Sequence, residues 1–463
     1  MTIYDYVFRG SELKDHETAL VSPTEIVSYG ELKAKVEQLY NWLSEMENKK
    51  ILILLKNSIE FIVSFFAITQ AGHIAIMADP ALDQEINYII EKCNVDFVFG
   101  EEESRSKWVL PHSVDYICKH DIFKKTETKG KNLIINEDEI CTILCTSGVT
   151  GKPKLVANSH NTLKEALKNY TSTVKFEKQQ KILAVTPFFH SYCFGSCMLA
   201  GLYSRCALFI FENFNPKNIL KTITESKIEI FQGVPFMYEQ LIEHYRSDKY
   251  SFSSLRFCIS AGGPLSDEII NRFYKLSGEI IHQEYGSTET GTISINLSND
   301  LKTNISSVGK ALNGVEVVLK NIDGLEKFFI KSKGRAVGYY NSEIFINEWH
   351  DTGDTGFFKE GFIYITGRTS RLIEISGKKI DPHEIESLLS HHPAIKDVLV
   401  KKISNEHGSS VAAYIVSDDE ITYQDIYSYC DKKIAVYKIP KIIKRVEGFE
   451  KTKLGKKIYG KEM

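Results

Sequence analysis

The sequence predicts an α/β protein with a large N-terminal domain of parallel-type sheets covered by helices, a β-rich subdomain within it, and a small α+β C-terminal domain. Short apolar runs alternate with helix-like segments up to about Ile305, which is typical of parallel sheets buried under helices. Strand-like runs with glycine-containing turns follow, and strands and helices mix again after Arg368. We therefore place an N-terminal core at 1–368, its β-rich subdomain at about 305–368, and a C-terminal domain at 369–463.

The first clear element is a helix in the segment SYGELKAKVEQLYNWL, which begins at Ser28. Ser28 and Glu31 have the spacing of a capping box, in which each side chain bonds the other residue's backbone. The run ILILL from Ile51 then predicts a buried strand, and Ser58 to Ala71 predicts a second helix. The apolar positions of the first helix recur at helical spacing, and they are Leu32, Val36, Leu39, Tyr40 and Leu43.

Further apolar runs predict the later strands of each domain. In the N-terminal core they are IAIM, VDFVF, KILAV, CALFIF, IEIF, LRFCIS and EIIHQEY. The β-rich subdomain has GVEVVLK, EKFFIKS and GFIYITGR. In the C-terminal domain the pattern is a mixed α+β one, in the segments RLIEIS, DPHEIESLLSHH, KDVLVKKI and SVAAYIVS.

Charge and composition exclude several classes of protein. A net charge of −3 argues against a general nucleic-acid binder, so we expect no nucleic-acid partner. No apolar run reaches the roughly 18 residues of a membrane span, and the polar start MTIYDYVFRGSELKDHE is unlike a signal peptide. The nine cysteines are spread along the chain, several in apolar runs, as with Cys145 and Cys258. We expect reduced, buried thiols and a cytoplasmic protein; a metal at the CxxxC pairs is the weaker alternative.

The stretch TSGVTGKPK follows the apolar run EICTIL and has the composition of a phosphate site. It is not a P-loop, because only two residues separate its glycines and Pro153 stands where the P-loop has Ser or Thr. Its hydroxyls, glycine N–H groups and lysine can still bind an anion, although a plain surface turn is the alternative. The candidate donors are Thr146, Ser147, Gly148, Thr150, Gly151 and Lys154.

Two later stretches add nucleotide-binding chemistry. In HQEYGSTETG, Tyr285 could stack on a base, Thr288 could bond a phosphate, and Glu289 is a plausible magnesium ligand because hard cations prefer carboxylates. In WHDTGDTGFFKEGFIYITGR, Asp354 could accept ribose hydroxyls with Arg368 behind it. Taken alone, the first stretch is an ordinary strand-to-turn sequence and the second a hairpin with a surface ion pair.

In order along the chain, these stretches resemble the motifs of the adenylate-forming superfamily, which includes acyl-CoA and aryl-CoA synthetases, nonribosomal-peptide adenylation domains and luciferases. The resemblance covers the whole chain. The matching motifs are SYGELKAKVEQL, TSGVTGKPK, PFFHSYCFG, SAGGPLSDE, EYGSTETG, DTGDTGFF, GRTSRLIEISGKKIDPHEIE and KTKLGKKI. One such motif alone would not identify the family, whereas the whole set in family order supports the resemblance.

The resemblance implies an ATP-dependent acid–thiol ligase that uses Mg²⁺. A small-molecule carboxylic acid attacks the α-phosphate of ATP, which gives an acyl-adenylate and pyrophosphate. A thiol, from coenzyme A or from the phosphopantetheine of a carrier protein, then takes the acyl group. Donors and magnesium would hold the negative charge of the first transition state. The small C-terminal domain would rotate between the two steps.

The resemblance also assigns roles to single residues. Lys456 would be the catalytic lysine that bridges the carboxylate and the α-phosphate, and His190 would stand at the gating position of its motif. Ser370 would be the hinge, and the segment EISGKK would meet the pantetheine thiol in the second step. The expected nucleotide contacts are Tyr285, Gly286, Thr288, Asp354 and Arg368, with Glu289 on magnesium and Gly262 and Gly263 beside adenine and substrate.

The chain departs from the family's usual pattern at several positions. Val149 replaces a Thr or Ser, Leu155 a Gly, and Glu374 a Lys, while Ser370 stands where Asp or Lys is common. Glu450 stands where Pro is usual. These changes leave Lys456 and Glu289 in place, so we expect an active enzyme.

The sequence indicates only the broad class of the carboxylic acid substrate. Relatives that activate amino acids have an Asp where this chain has His190, so an α-amino acid is an unlikely substrate and an acyl or aryl acid is favoured. A packed core histidine is the alternative role for His190. The candidate pocket residues are Tyr192, Phe194, Phe236 and Tyr238, which suit a medium acyl chain or a ring.

Three functions therefore stand side by side. The first is an acid–CoA ligase, the second an adenylating enzyme that loads a separate carrier protein. The third is a degenerate nucleotide-binding module without turnover, motivated by Val149, Ser370 and Glu374. We expect a monomer or homodimer without a transmembrane segment.

Overall fold

The computed structural model describes residues 1–9, 15–81, 83–108, 110–124, 130–146, 153–299, 304–375, 378–405 and 408–449. The chain folds as two compact units. Unit 1 comprises 1–316 and 330–350, and unit 2 comprises 317–329 and the described residues from Asp351 onward. The strands of the predicted β-rich subdomain therefore fall largely in unit 2. The predicted boundary between the N-terminal core and the C-terminal domain, at 368/369, stays a prediction.

The α-helices of unit 1 are short to medium in length. They are α1 (Ile3–Arg9), α2 (Tyr29–Leu43), α3 (Ile59–Gln70), α4 (Asp83–Cys93), α5 (His160–Thr173), α6 (Ala200–Tyr203), α7 (Pro216–Ser226), α8 (Pro235–His244) and α9 (Asp267–Ser277). A π-helix at Cys193–Leu199 runs directly into α6, and two 3-10 helices lie at Glu102–Ser104 and Lys119–Lys124.

The strands of unit 1 alternate with these helices. They are β1 (Thr18–Val21), β2 (Ile26–Ser28), β3 (Lys50–Leu54), β4 (Ile74–Met77), β5 (Phe97–Gly100), β6 (Asp115–Cys118), β7 (Ile140–Thr146), β8 (Lys154–Ser159), β9 (Lys181–Ala184), β10 (Ala207–Ile210), β11 (Ile230–Gly233), β12 (Phe257–Ser260), β13 (Ile281–Ser287), β14 (Gly291–Ile295) and β15 (Lys310–Ala311).

The remaining elements follow in chain order. They are β16 (Val315–Ile322), β17 (Leu325–Ser332), β18 (Gly338–Tyr339), β19 (His350–Lys359), β20 (Phe362–Arg368), β21 (Ile373–Ile375), β22 (Lys378–Ile380), α10 (Pro382–Ser390), β23 (Asp397–Asn405), β24 (Gly408–Val416), α11 (Tyr423–Cys430) and β25 (Ile442–Arg445), with 3-10 helices at Thr369–Arg371 and Val436–Lys438.

The α/β class predicted from the sequence is confirmed by two large sheets in unit 1. The first has nine strands in the order β15-β14-β13-β12-β11-β9-β10-β1-β2. Its central pairs, from β13 through β10, are parallel, whereas β13–β14 and β14–β15 are antiparallel. The carboxyl ends of the central strands therefore lie at one edge of the sheet, which is where open α/β sheets bind ligands.

The second sheet has seven strands in the order β18-β8-β7-β4-β3-β5-β6. It is parallel from β7 to β6, but β8 runs antiparallel to β7 and β18 runs antiparallel to β8. The strand β8 was not predicted from the sequence. It places Lys154, at its start, opposite Thr146, at the end of β7.

The first two long helices form as the sequence predicts. Ser28 caps α2 in a reciprocal capping box with Glu31, and the buried side of the helix includes Leu32, Val36, Leu39 and Leu43. In α3, capped by Ser58, ten of the twelve residues are buried. A helix that is apolar all round belongs to the interior of its domain.

Unit 2 contains three sheets. The four-stranded sheet has the order β16-β17-β19-β20, the hairpin pairs β21 with β22, and a three-stranded sheet has the order β23-β24-β25. The N-terminus of α10 approaches the backbone of β20 so closely that a Cβ at Gly367 would lie 1.4 Å from Oδ2 of Asp381. A larger residue at this position would displace the Asp381 carboxylate, which caps α10 by accepting from the N–H of His383.

The nine cysteines are free thiols, as predicted. Eight of them are buried, and Cys145 is half-buried. Burial raises the pKa of the Cys93 thiol to about 12, so this group stays protonated and unreactive in the native fold. Within the described ranges, no helix is both long and apolar enough to cross a bilayer.

Candidate active site

Several predicted site residues of unit 1 follow or end strands of the nine-stranded sheet at its carboxyl edge. His190 lies beyond the end of β9, and Gly262 and Gly263 follow β12. Tyr285 lies near the carboxyl end of β13, and Thr288 directly follows that strand. A side-chain contact joins two of these loops, since Ser191 Oγ lies 3.2 Å from Thr288 Oγ1. The fold thus assembles residues that are about 100 positions apart in the chain.

The turn after β13 is held by its own hydroxyls. The backbone N–H of Ser287 donates to Thr290 Oγ1 at 3.0 Å, and the N–H of Thr290 donates to Ser287 Oγ at 3.3 Å. A Cβ at Gly286 would lie 2.3 Å from the carbonyl oxygen of Gly291, so the β13–β14 hairpin itself requires a glycine there. These contacts fix the two residues between them, Thr288 and Glu289.

Gly262 needs glycine for a different reason. Its φ of +84° lies in the region that residues with a Cβ avoid, while the space around it is open, with the nearest side-chain atom 3.6 Å from a built Cβ. The conformation of this residue, rather than crowding by protein atoms, explains the glycine after β12.

The predicted phosphate loop spans the connection between β7 and β8. Thr146 and Lys154 are register partners at its two ends. The other predicted donors, Ser147, Gly148, Thr150 and Gly151, lie outside the described residues. Leu155, where the resemblance described above predicts glycine, is 6% exposed and belongs to the core under this sheet. That departure is explained by packing, because its side chain fills the interior next to β7.

Lys154 and Glu289 are brought together through a residue that sequence reasoning missed. The hydroxyl of Tyr339 donates to Glu289 Oε1 at 2.9 Å and accepts from Lys154 Nζ at 3.2 Å. Lys154 Nζ itself lies 3.8 Å from Glu289 Oε1. Burial and the neighbouring Glu289 carboxylate raise the pKa of Tyr339, so its hydroxyl keeps the donated proton.

These donors suit magnesium that arrives with a nucleotide. The Glu289 side chain is 16% exposed, and Thr288 precedes it in the same turn, so this turn carries one carboxylate and one neutral hydroxyl. In the part of the chain that the structure describes, no three His, Cys, Asp or Glu side chains form a metal cage. Mg²⁺ is commonly bound by one or two carboxylates plus substrate phosphates and water, which fits this donor set.

The predicted pocket residues divide into two groups. Phe194 is 2% exposed and packs edge-on against Phe65, with ring centroids 4.9 Å apart. Tyr238 is fully buried, and its hydroxyl donates to the carbonyl oxygens of Phe231 and Ile259 at 3.1 and 2.8 Å. Both side chains therefore have packing roles, and their contact with a substrate stays a prediction.

The other two pocket candidates, Tyr192 and Phe236, and the predicted gating residue His190 are partly exposed. The ring of His190 lies 4.8 Å from that of Phe189, and its backbone N–H donates to the carbonyl of Pro187. Tyr192 donates its hydroxyl to the carbonyl of Ile259 at 3.2 Å, and Phe236 lies near Phe214 with centroids 6.3 Å apart. Their exposure is consistent with a pocket wall, which remains a prediction.

A buried carboxyl group directly precedes Tyr285. Glu284 is 7% exposed, and it accepts hydrogen bonds from Thr292 Oγ1 at 2.7 Å and from Tyr170 Oη at 3.3 Å. The Ser196 hydroxyl also interacts with it. Burial raises the pKa of Glu284 to about 7, because these hydroxyl donors only partly offset the loss of water.

This raised pKa makes stability depend on pH. Between about pH 4.5 and 7 the native state holds a proton that the unfolded chain releases, so the free energy of unfolding falls as pH rises through that window. The Glu284→Gln variant cannot ionise there. We expect urea unfolding to show that, between pH 5 and pH 8.5, the free energy of unfolding falls by roughly 3 kcal/mol more in the parent protein than in the variant.

Glu268→Gln is the matched control for this prediction. Its side chain is 76% exposed on α9, so the same chemical change should leave the pH dependence of unfolding as it is in the parent protein. Parallel pH profiles for the parent and Glu284→Gln would contradict the assignment of a titrating carboxyl to Glu284.

Unit 2 pairs the two predicted ribose residues. Asp354 and Arg368 are register partners across β19 and β20, and Arg368 Nε donates to Asp354 Oδ1 at 2.7 Å. Asp354 is 6% exposed, whereas the Arg368 side chain is 52% exposed. Ser370 lies in the 3-10 helix that follows β20, and Lys456 lies outside the described residues.

Two family models match most of the chain. Residues 9–339 match the family described as "AMP-binding enzyme", and residues 384–456 match the "AMP-binding enzyme C-terminal domain". Among curated proteins, a 2-succinylbenzoate–CoA ligase of Bacillus cereus (strain Q1) is 26% identical over 462 residues, which cover 95% of this chain and 94% of the relative.

Two solved structures share the fold over nearly the whole chain. The o-succinylbenzoate coenzyme A synthetase (MenE) of Bacillus subtilis, in complex with ATP and magnesium ion, has a TM-score of 0.84 at 24% identity and covers 98% of each chain. The anthranilate CoA ligase AuaEII in complex with anthranoyl-AMP has a TM-score of 0.86 at 23% identity and covers 99% of this chain and 95% of its own. The family match over 9–339 and the site at the carboxyl edge of the sheet lead to one conclusion: this chain belongs to the AMP-binding enzyme family.

Proposed function

We propose that the protein is an ATP-dependent carboxylic acid–thiol ligase, which forms an acyl-adenylate with release of pyrophosphate and then transfers the acyl group to coenzyme A. The observation that carries the proposal is the joining of Lys154, Tyr339 and Glu289 beside Thr288 at the carboxyl edge of the sheet. A cation, a carboxylate and a hydroxyl in one place match the needs of a metal–triphosphate group.

The charges of these residues suit the first half-reaction. Attack on the α-phosphate builds negative charge on phosphate oxygens and on the departing pyrophosphate. Lys154 and the hydroxyl of Thr288 would bind those oxygens, and Glu289 would bind a magnesium ion. When bound, that ion offsets phosphate charge and draws electron density away from the reacting phosphorus.

Residues of the C-terminal half are proposed to have roles of their own. Asp354 would accept the ribose hydroxyls while Arg368 holds its carboxylate in place, as their 2.7 Å hydrogen bond already does. Lys456 would supply the positive charge that bridges the substrate carboxylate and the α-phosphate. Ser370 would be the hinge about which the C-terminal part turns before thiol transfer.

The acid is proposed to be an acyl or aryl carboxylate rather than an α-amino acid. His190 cannot give an α-ammonium group the negative partner that an aspartate gives. The curated relative and both structural neighbours are named for ring-bearing acids, so 2-succinylbenzoate and anthranilate belong in the first set of substrates to be tested.

A pyrophosphate-exchange panel tests the first half-reaction. The purified protein is incubated with ATP, Mg²⁺, labelled pyrophosphate and one of a series of fatty, aryl and amino acids. We expect exchange with at least one acyl or aryl acid and none with α-amino acids. ATP binding without exchange for any acid would support the inert nucleotide-binding module instead.

A second assay, with the acid that supports exchange, identifies the thiol that accepts the acyl group. Coenzyme A and a holo-carrier protein are offered separately to the enzyme with ATP, and thioester is measured by mass spectrometry. Thioester with coenzyme A supports the ligase proposed here. Thioester only with the carrier would assign the protein to the loading enzymes.

A further inference from the structure

Tyr339 lies at the edge of the seven-stranded sheet, next to the predicted phosphate loop. Its strand β18 pairs with β8, and Tyr339 is the register partner of Val156, two residues after Lys154. The backbone N–H of Tyr339 donates to the carbonyl of Glu343 at 2.7 Å, and the next N–H, of Tyr340, donates to the carbonyl of Leu155 at 2.7 Å. The backbone that carries this ring is therefore held from both sides.

The ring is also fixed by its neighbours. Phe345 packs edge-on against it, with centroids 5.1 Å apart and an angle of 82° between the rings. Lys154 Nζ lies 5.1 Å from the ring centroid, within the range of a cation–π contact. The direction of the Tyr339 hydroxyl is thus set before any ligand arrives.

The same segment holds the turn that carries Glu289. The backbone N–H of Ala336 donates to the carbonyl oxygen of Glu289 at 2.9 Å, while the Tyr339 hydroxyl donates to its carboxylate, also at 2.9 Å. Backbone and side chain of Glu289 are therefore both bound by residues 336–339. A phenol has one proton and two lone pairs, so it can donate to a carboxylate and accept from an ammonium group at once.

We propose that Tyr339 is a positioning residue, which orients the Glu289 carboxylate for a divalent cation and holds Lys154 beside it until a phosphate group takes the lysine. This inference rests on the proposed function, because it assigns Glu289 to a metal–nucleotide complex. Lys154 would exchange one negative partner, Glu289, for another, the triphosphate. Tyr339 would remain bonded to Glu289 throughout.

The test is the Tyr339→Phe variant, which removes a single oxygen and keeps the ring that packs against Phe345. ATP binding is measured by isothermal titration calorimetry over a series of Mg²⁺ concentrations. We expect the Mg²⁺ concentration that gives half of the full effect on ATP affinity to rise about five- to tenfold. ATP affinity without metal should change less than twofold, since Lys154 remains.

Tyr340→Phe is the matched control, because this neighbouring ring packs against the core under the sheet and not against Glu289. It should leave the Mg²⁺ dependence unchanged. In a Glu289→Gln background, Tyr339→Phe should have no further effect on Mg²⁺ dependence, because the carboxylate through which it acts is gone. Melting temperatures of all variants identify any general loss of the fold.

Each result bears on the proposal. An unchanged Mg²⁺ dependence in Tyr339→Phe, or an equal effect with and without the Glu289 carboxylate, would overturn it. If the parent protein shows no acid-dependent pyrophosphate exchange but Tyr339→Phe still weakens the Mg²⁺ effect on ATP binding, the ligase function fails and the positioning role stands. If the parent exchanges pyrophosphate and the variant binds Mg²⁺–ATP as the parent does, only the positioning role fails.

Discussion

The Lys456→Ala variant is expected to lose acid-dependent pyrophosphate exchange by about 1,000-fold while still binding ATP. The expected cause is the loss of the positive charge that would bridge the substrate carboxylate and the α-phosphate. That charge is needed where negative charge concentrates in the transition state, and a neutral methyl group cannot replace it. The rate is measured with labelled pyrophosphate, and ATP binding by calorimetry.

Lys457→Ala is a matched control, since it removes the same charge one residue further along the same tail. Its exchange rate should stay within about twofold of the parent. Thioester formation from a preformed acyl-adenylate should also persist in Lys456→Ala, because this lysine is proposed to act only in the first step. Parent-like exchange in Lys456→Ala would disprove its assignment.

Glu289→Gln is the second variant with a large expected effect. The change keeps the shape of the side chain and an oxygen that can accept from Tyr339, but it removes the negative charge that a magnesium ion requires. We expect the rate of pyrophosphate exchange at physiological Mg²⁺ to fall by about 100- to 1,000-fold. Raising the Mg²⁺ concentration should restore part of that loss.

The charge of Lys154 gives this prediction an additional signature. In the parent protein Lys154 Nζ lies 3.8 Å from Glu289 Oε1, so the variant frees the lysine from its ion pair. Metal-free ATP should therefore bind at least as tightly to Glu289→Gln as to the parent. The control is Glu343→Gln, whose exposed side chain lies in the same segment as Tyr339. Equal losses in the two variants would argue against a metal role for Glu289.

Most secondary structure was predictable because local signals were strong. The helix α2 has both its capping box and its apolar spacing in sixteen consecutive letters, and the central strands are continuous apolar runs. The gathering of Thr288 and Gly262 at one edge followed from the parallel order of β12 and β13. These features depend on residues close together in the chain or on one topological rule.

The missed residues depend on contacts between distant segments. Tyr339 and Lys154 are 185 positions apart, and Tyr170 and Glu284 are 114 positions apart. Glu284 stands among the polar letters HQEY at the end of a predicted strand, and the local sequence does not show that its carboxyl group is buried. Only the packing of α5 and β14 around β13 reveals that this carboxyl group is buried.

The candidate pocket was the least predictable part. Phe194 and Tyr238 are apolar or aromatic residues in the expected motifs, but both are buried in core contacts. Pocket walls and cores use the same residue types, so composition alone cannot separate them. Phe194 also lies in the π-helix at Cys193–Leu199, which the local spacing did not predict.

The buried cysteines offer a way to follow opening of the two units separately. Cys430, which is fully buried on α11, is the single cysteine of the sequence in the range of unit 2, while the other eight belong to unit 1. An alkylating reagent can reach such thiols only when the surrounding structure opens. Peptide mass spectrometry after timed labelling would therefore give one opening rate from Cys430 and another from the seven buried thiols of unit 1. The native protein thus carries its own reporters of local unfolding, without any introduced label.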